Sequence, residues 1–405
     1  MVAAVMVPPG MMAAVRARDL AVSCAGLAAG AWLLAGIRTP RPAPGALPGP
    51  AGVKPPTGAQ ADPPAAPDDP TAPQAATRVS VVIPARNEAA SLPALLGSLA
   101  AQSRPPDEVL VVDDGSTDGT AGVAAALGAT VLHPGSPPEG WTGKTWACHT
   151  GAEAAAGDVL LFLDADVTLA PDALARLLAE PGAADGAVTV QPSHRTARAY
   201  EQLSAVANVV TLMGTGAFTG PPRRPAAMAF GPCILWRRSA YQAAGGHAEP
   251  GARGHVAEDI AMARNARAAG VPVTVLAGGD TVTFRMYPDG PGQLLAGWTK
   301  MLGQGARWTP PRLQVLVGLW VTGALIGASR LPAFVFHRRA SDAALYAAWV
   351  AEMAWLMDRA GTWRRWTPAA FPLPLLTFVA LFARSAWLAV TGRPARWRGR
   401  AVSAR

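Results

Sequence analysis

Two carboxylates separated by one alanine, Asp164 and Asp166, follow a short apolar segment near the middle of this 405-residue chain. The segment before them, 158–163, has the length of a buried strand, and ligands of α/β proteins bind beyond the carboxyl ends of such strands. Neighbouring carboxylates repel each other unless a cation joins them, and hard oxygen ligands suit Mg²⁺ or Mn²⁺. The spacing therefore predicts a divalent-metal site. Side-chain caps for the turn that follows are the alternative.

Polar side chains also follow the two strands predicted earlier in the chain. Arg86 and Glu88 come after the first strand, and Asp113 and Asp114 come after the second. Carboxylates pair well with imide and hydroxyl donors, so these positions could hold a base or a ribose. The glycine-rich fingerprints of dinucleotide-binding and P-loop proteins do not occur in the sequence, which disfavours dehydrogenases and P-loop NTPases.

The elements that must position these side chains alternate between strand and helix along residues 78–310. Apolar runs predict the first three strands at 79–83, 108–112 and 130–133, with helices between them. Such alternation implies right-handed crossovers and a parallel sheet, whose strands end at one common edge. We therefore predict an α/β fold with a Rossmann-like, mainly parallel sheet.

The composition indicates membrane segments in addition to this domain. Half of the residues are hydrophobic and 15% are charged, which is a low charged fraction for a soluble protein. The formal charge of +8 comes from arginines beside apolar stretches and near the C-terminal end, a bias typical of the cytoplasmic flanks of membrane helices. We therefore predict no nucleic-acid partner. The three cysteines lack metal-type spacing, which places the main domain in a reducing compartment.

Apolar segments flank the predicted domain on both sides. Residues 1–38 contain an uncharged run, 21–37, that predicts a transmembrane helix, with a cleaved secretory signal as the alternative. Residues 39–77 are expected to be a disordered linker, because 12 prolines among small residues prevent a helix and leave little bulk for a core. Residues 311–392 form a second membrane region, and residues 393–405 form a basic tail expected in the cytoplasm.

The second membrane region contains two candidate spans, 313–329 and 366–383, and a shorter apolar segment between them, 343–357, that is interrupted by Glu352. An even number of crossings keeps the domain and the tail on one side of the membrane. We therefore expect two spans, with the shorter segment in the interface plane and Glu352 facing water. The alternatives are three spans with an outward tail, and a functional role for Glu352.

Several motifs resemble those of a known family. This chain resembles the family 2 glycosyltransferases of the GT-A fold in five motifs, which occur in the expected order. They are VSVVIPARNEAASL, VVDDGSTDGT, GWTGKTWA, LFLDAD and VAEDIAMARNARAAG. Membrane-bound members related to carotenoid glycosyltransferases are similar in QPSHRTARAYEQL, GPCILWRRSAYQAAGGH, VTFRMY, GWTK and the final RWRGR. The resemblance implies a GT-A catalytic domain carrying N-terminal and C-terminal transmembrane helices.

The resemblance also implies roles at the nucleotide end of the site. Pro84, Arg86 and Glu88 match positions that would line the nucleotide pocket. Asp113 or Asp114 would contact the base.

At the reacting end, Lys144 would reach the nucleotide, and Asp164 and Asp166 would match the Asp-X-Asp element that holds Mg²⁺ or Mn²⁺. Asp259, beside Glu258, would be the general base that takes the proton from the acceptor hydroxyl. A simple cap of the following helix is the alternative for Asp259.

Four further side chains are weaker candidates. Arg285 in VTFRMY could neutralise the diphosphate or form a surface ion pair. His247 could approach the metal or the acceptor, or it could close a turn. Trp298 and Lys300 fall where processive family members carry a QxxRW motif, which this sequence lacks. Trp298 could therefore contact the acceptor or pack at the bilayer interface.

These motifs predict an inverting, metal-dependent glycosyltransferase. We expect it to move one sugar from a nucleotide-diphosphate sugar, expected to be a UDP-sugar, to a membrane lipid such as a carotenoid, another polyisoprenoid or a glycolipid. We expect a multi-pass protein of the plasma membrane with a cytoplasmic catalytic domain. A processive polysaccharide synthase and a catalytically silent membrane protein that binds nucleotide sugars are the alternatives.

Overall fold

The computed structural model describes residues 9–42, 77–220, 228–255, 257–393, 395–397 and 400–402. Most of the linker predicted at 39–77 therefore lies outside the described residues, as does part of the basic tail. The described residues form two larger β-sheets, a two-stranded hairpin and a layer of long helices.

Ten strands occur in the described part of residues 77–290. They are β1 (Val79–Ala85), β2 (Glu108–Asp113), β3 (Thr130–Leu132), β4 (Val159–Leu163), β5 (Val167–Leu169), β6 (Ala187–Gln191), β7 (Ser193–Arg195), β8 (Cys233–Arg237), β9 (Val273–Ala277) and β10 (Val282–Phe284). Seven of them form the main sheet, in the order β3-β2-β1-β4-β8-β6-β9.

The main sheet is mostly parallel. Strands β1 to β4 run parallel to their neighbours, and so do β6 and β9, whereas β8 lies antiparallel between β4 and β6. The predicted α/β fold with a mainly parallel sheet is confirmed. Strand β4 is buried along its whole length, because apolar side chains on both of its faces pack under helices. Asp164 therefore emerges at the carboxyl edge of the sheet.

The helices of the described residues, in chain order, are α1 (Pro9–Leu33), α2 (Leu92–Ala100), α3 (Thr120–Ala126), α4 (Gly143–Ala154), α5 (Ala173–Leu178), α6 (Gly182–Asp185), α7 (Ala205–Thr215), α8 (Arg238–Ala243), α9 (Pro250–Arg253), α10 (Glu258–Ala268), α11 (Pro291–Trp308), α12 (Pro311–His337), α13 (Ala340–Ala360) and α14 (Pro372–Val390). Helix α2 buries Leu92, Leu95 and Leu99 under one face of the main sheet, as their helical spacing predicts. Helices α4 and α10 cover the opposite face.

A second sheet links the α/β domain to the C-terminal helices. Its order is β11-β7-β10-β5, where β11 (Gly361–Thr362) follows α13 and runs parallel to β7. Thr362 accepts a hydrogen bond through its carbonyl from the Thr196 hydroxyl at 2.7 Å. The end of α13 is therefore fixed to the domain. Two further short strands, β12 (Ala395–Trp397) and β13 (Arg400–Val402), form a hairpin in the tail.

Helix α1 packs antiparallel along α12. Asp19 lies 2.6 Å from Arg330 near the far end of α12, and Ser23 donates to the carbonyl of Gly323 at 3.3 Å. Within the described ranges, two helices, α12 and α14, are long and apolar enough to cross a membrane. Helix α1 is not one of them, so the transmembrane helix predicted in residues 1–38 stays a prediction.

Helix α13 returns along α12, where Trp349 lies against Gly323 and Gly327. Asp342 at its start lies 3.6 Å from Arg330, and its last turn leads into β11 on the domain. This course does not agree with an in-plane segment between two spans. The expectation that Glu352 faces water is also wrong, because both carboxylate oxygens are buried and, among the described residues, have no hydrogen-bond partner. They lie against Gly30, where an added Cβ would be 2.1 Å from Glu352 Oε1.

Candidate active site

A pocket opens at the carboxyl end of β4, between α4 and α10. Its polar lining comes from Lys144, Asp164, His247, Glu258 and Asp259, and Pro84 lies at its edge. These residues are spread over positions 84 to 259 of the sequence, and strand ends and helix starts bring them together. The edge that the sequence predicted as a ligand site is therefore where the structure gathers its charged side chains.

The ammonium group of Lys144 lies between two carboxylates. Its Nζ is 2.9 Å from Asp164 Oδ1 and 3.1 Å from Glu258 Oε1. Burial opposes the charge on Lys144, but the attraction of the two carboxylates prevails and raises the pKa of Lys144 well above its ordinary value. Lys144 therefore stays cationic, and its side chain remains 38% exposed, so the charge is accessible to a ligand.

The first turn of α4 fixes the position of Lys144. Thr142 caps the helix, accepting from the backbone N–H of Thr145, and the Thr145 hydroxyl accepts in return from the N–H of Thr142, both at 3.2 Å. Gly143 allows this turn to approach the end of β2, because an added Cβ would lie 2.1 Å from Asp114 Oδ2. The GWTGKTWA motif thus joins the predicted base-contacting strand end to the lysine.

Asp259 lies half-buried in the first turn of α10. Its Oδ2 accepts from the backbone N–H of Gly231 at 2.8 Å, and its Oδ1 accepts from the N–H of Ile260 at 2.9 Å. Burial and the adjacent charge of Glu258 raise the pKa of Asp259 to about 7, although Lys144 and the two backbone donors oppose the shift. The capping interpretation of Asp259 is wrong, since the helix begins at Glu258 and its N-cap residue is Ala257.

The ends of β1 and β2 meet as predicted. The Arg86 Nη1 donates to the carbonyl of Asp114 at 2.9 Å and lies 3.4 Å from its Oδ2. Asp113 is buried and accepts from the backbone N–H of Ser116 at 2.9 Å, so it stabilises the turn. Asp114 is consequently the better placed of the two aspartates for contact with a ligand. Glu88 is half-buried, and its backbone N–H donates to the Thr120 hydroxyl in the next unit.

The aspartates after β4 are suited to a metal ion that is coordinated by the protein and by a substrate together. Within the described residues, no group of three or more His, Cys, Asp or Glu side chains could hold a metal ion. Asp164 nevertheless directs Oδ1 toward a cation, the ammonium of Lys144, and Asp166 lies half-buried two residues further on. One or two carboxylates suffice for Mg²⁺ when substrate phosphates complete the coordination. The residues present therefore fit a divalent ion bound together with a diphosphate.

Arg285 forms an ion pair, one of the two roles that the sequence left open. Its Nη2 lies 2.7 Å from Glu201 Oε1, and its Nε lies 3.1 Å from the same atom. Sequence reasoning missed Glu201, although the residue lies within the QPSHRTARAYEQL motif. The available signal was an arginine at a strand end that needed an acidic partner.

His247 lines the pocket, whereas two other predicted acceptor residues do not. The His247 Nδ1 lies 2.9 Å from the Tyr241 hydroxyl, and burial lowers the pKa of His247 to about 3, so the ring is neutral. Trp298 is 1% exposed and donates to the Ser204 hydroxyl at 2.9 Å. It belongs to the core, which argues against contact with an acceptor. Lys300 is half-buried on α11 and, like Trp298, is not part of the pocket lining.

The mostly parallel α/β sheet, the pair of spaced aspartates after β4 and the acidic pair beside Lys144 agree with the glycosyltransferase class that the sequence motifs indicate. The chain belongs to glycosyl transferase family 2, whose model matches residues 80–243. It is 35% identical over 333 residues to the 4,4'-diaponeurosporenoate glycosyltransferase of Staphylococcus aureus strain USA300, covering 80% of this chain and 88% of that protein. The protein of the same name from strain MRSA252 matches with the same identity and coverage.

Two solved structures show more distant likeness. The mannosyltransferase PcManGT from Pyrobaculum calidifontis, in complex with GDP-Man and Mn²⁺, has a TM-score of 0.47 and 20% identity, covering 77% of this chain and 87% of that chain. Glucosyl-3-phosphoglycerate synthase from Mycobacterium tuberculosis, with Mn²⁺, UDP and glucosyl-3-phosphoglycerate, has a TM-score of 0.37 and 21% identity, covering 57% and 77%.

Proposed function

We propose that this glycosyltransferase is inverting and metal-dependent and moves a single sugar from a nucleotide-diphosphate sugar to a membrane lipid. The observation that carries the proposal is the meeting of Lys144, Asp164, Glu258 and Asp259 at one pocket beyond β4. A sugar donor carries a diphosphate that needs positive charge, and an acceptor needs a base on the opposite side of the anomeric carbon. The pocket offers both kinds of group.

Each end of the pocket has its own task in this mechanism. Arg86 and Asp114 hold the nucleoside, for which we propose uridine, and Lys144 places a permanent positive charge at the diphosphate. Asp166 and Asp164 would hold a divalent ion, which when bound would supply further positive charge at the departing diphosphate. Asp259 takes the proton from the acceptor hydroxyl as that oxygen attacks the anomeric carbon, and one such displacement inverts the configuration.

The acceptor that we propose is a lipid reached from the bilayer. Helices α12 and α14 are long and apolar enough to enter a membrane, and the Staphylococcus aureus relatives are named for a carboxylate acceptor, diaponeurosporenoate. We propose a multi-pass protein of the plasma membrane with a cytoplasmic catalytic domain, since nucleotide sugars are made in the cytoplasm. A hydroxyl acceptor needs Asp259 as a base, whereas a carboxylate acceptor already carries the attacking charge.

The test is transfer of radiolabelled sugar from UDP-sugars into the organic-soluble fraction of membranes that contain the protein. For a hydroxyl acceptor, Asp259→Asn should reduce the transfer rate by about 1,000-fold, within the range for loss of a general base. The matched control is Asp358→Asn, an exposed aspartate on α13, which should transfer at the parental rate.

Product chemistry separates the two acceptors, because mild alkali cleaves a sugar ester and leaves a glycoside intact. An alkali-stable product made at the parental rate by Asp259→Asn would show that Asp259 is not the base. Long water-soluble products would instead identify a processive synthase.

Removal of metal tests the Asp-X-Asp assignment. We expect EDTA to abolish sugar transfer and added Mn²⁺ or Mg²⁺ to restore it, because one or two carboxylates and a diphosphate share the ion. The binding of UDP to the purified protein should weaken in EDTA as well. Transfer that continues unchanged in excess chelator would overturn the metal requirement.

A further inference from the structure

Arg285 lies directly across from Asp166, the second aspartate of the pair after β4. Strand β10 pairs antiparallel with β5 as far as Phe284 and Val167, and Arg285 and Asp166 follow directly beyond this last pair. The backbone N–H of Arg285 donates to the carbonyl of Asp166 at 3.4 Å. The backbone of Arg285 is therefore held beside that of Asp166, next to the proposed diphosphate site.

A buried carboxylate fixes that guanidinium along one edge. Glu201 is 1% exposed, and its Oε1 accepts from both Nε and Nη2 of Arg285, at 3.1 and 2.7 Å. The other oxygen, Oε2, accepts from the backbone N–H groups of Ala197 and Arg198, the latter at 2.9 Å. Both carboxylate oxygens of Glu201 are thus used, and the four donors around them lower the pKa of Glu201 against the effect of burial.

The opposite edge of the guanidinium is left for a ligand. Over the described ranges 77–220, 228–255 and 257–393, Nη1 of Arg285 makes no hydrogen bond, and 39% of the side chain is exposed. A guanidinium has five donors in a rigid plane, so holding one edge on a carboxylate orients the other edge. Planar donors of this kind match phosphate oxygens.

We propose that Glu201 is a positioning residue that holds Arg285 beside Asp166, so that the free edge of the guanidinium binds the diphosphate of the sugar donor. This inference rests on the proposed function and assigns the charge of Arg285 to the phosphates and not to the nucleoside. The nucleoside lies by this account at Arg86 and Asp114, which follow β1 and β2 of the main sheet, whereas β10 belongs to the second sheet.

The test compares two probes, UDP and uridine, by their affinity for the full-length purified protein in Mg²⁺. Glu201→Gln keeps the shape of the side chain and an oxygen acceptor for the backbone N–H groups, but it removes the charge that holds Arg285. We expect the dissociation constant of UDP to rise about tenfold and that of uridine to stay unchanged, since one charge-assisted contact is lost. Arg285→Gln should give at least the same loss, and the double variant should be no weaker than Arg285→Gln alone.

Two further variants separate this role from a structural one. Glu180→Gln removes the charge of another buried glutamate, one that accepts from the backbone N–H of Arg41 away from the pocket, and should change neither affinity. Arg285→Lys keeps the positive charge but loses the planar guanidinium. It should weaken the binding of UDP and leave the binding of uridine unchanged, and this test remains available if Glu201→Gln does not fold.

Equal losses for UDP and uridine, additive losses in the double variant, or unchanged UDP binding in Glu201→Gln would each overturn the assignment. Parental protein that binds no UDP would overturn the proposed function itself, and the assignment with it. In transfer assays, the positioning role predicts a higher KM for the donor in Glu201→Gln, with a smaller change in kcat than Asp259→Asn causes.

Discussion

Two sites in this molecule place one cation between two carboxylates from other elements. In the pocket, Lys144 joins the end of β4 to the start of α10 at distances of 2.9 and 3.1 Å. In the helix layer, Arg330 of α12 joins Asp19 of α1 to Asp342 of α13 at 2.6 and 3.6 Å. Each cluster ties three elements together.

The surroundings of the two cations differ. The Lys144 side chain is 38% exposed to a pocket, and a third acid, Asp259, lies beside it with a pKa raised to about 7. The Arg330 side chain is 15% exposed, and Arg330 Nε is buried without a hydrogen-bond partner among the described residues. The same arrangement of charge can therefore bind a ligand where it is exposed to solvent, and hold helices together where it is buried. The surroundings of a charge cluster, more than its composition, indicate its role.

Replacing each cation by methionine gives the largest contrast. Lys144→Met should reduce sugar transfer by about 100-fold, because the diphosphate loses a fixed positive charge. Arg330→Met should leave the rate per folded molecule near the parental value but lower the free energy of unfolding by about 3 kcal/mol, since two carboxylates lose their partner. Transfer rates and thermal unfolding in detergent measure both effects.

The contrast fails if Arg330→Met loses transfer while remaining folded, or if Lys144→Met keeps the parental rate. A Lys144→Arg variant refines the result. This variant keeps the positive charge but changes its geometry. The transfer rate should recover in part if the charge makes the main contribution, and it should not recover if the position of the ammonium group does.

The pH dependence of transfer probes the acid that distinguishes the pocket. Burial first, and then repulsion by Glu258, raise the pKa of Asp259 to about 7. A base must be ionised to act, so the rate on a hydroxyl acceptor should fall about tenfold per pH unit below 7 and level off above it. Glu258→Gln removes the repulsion and should shift the midpoint to lower pH. A flat profile between pH 5.5 and 8.5 would contradict the assignment of Asp259 as the base.

Much of the pocket could be predicted from the sequence, because strand ends follow from apolar periodicity. The run before Asp164 has the length and apolar character of a buried strand, which it forms, and parallel strands bring their carboxyl ends to one edge. Positions that depend on contacts between distant segments could not be predicted in this way. Glu201 and Arg285 are 84 residues apart, and a strand-end arginine indicates that an acidic partner is needed but not which acid it is. The antiparallel insertion of β8 is likewise decided by sheet packing.

The helix layer was predicted less well for a related reason. Hydropathy finds apolar segments but gives no information about how they pack. An even number of crossings, the shortness of segment 343–357 and its interruption by Glu352 led to the prediction that this segment lies in the interface plane. In the structure, α13 returns along α12 to the domain, and its glutamate lies against Gly30 of α1. A glycine on one helix created the space for a charged residue on another, which cannot be detected from either segment alone.

Glu352 gives the smallest expected effect and completes the comparison, since it is an acid without a cation. Burying a carboxyl group without a hydrogen-bond partner costs free energy, so Glu352→Met, of similar volume, should raise the free energy of unfolding by about 1 kcal/mol and leave sugar transfer unchanged. Glu352→Gln keeps polar atoms in the same place, so its increase in the free energy of unfolding should be smaller. If Glu352→Met instead stops transfer while the protein stays folded, the carboxyl group has a function in the helix layer, and closed surroundings do not by themselves mark a charge as structural.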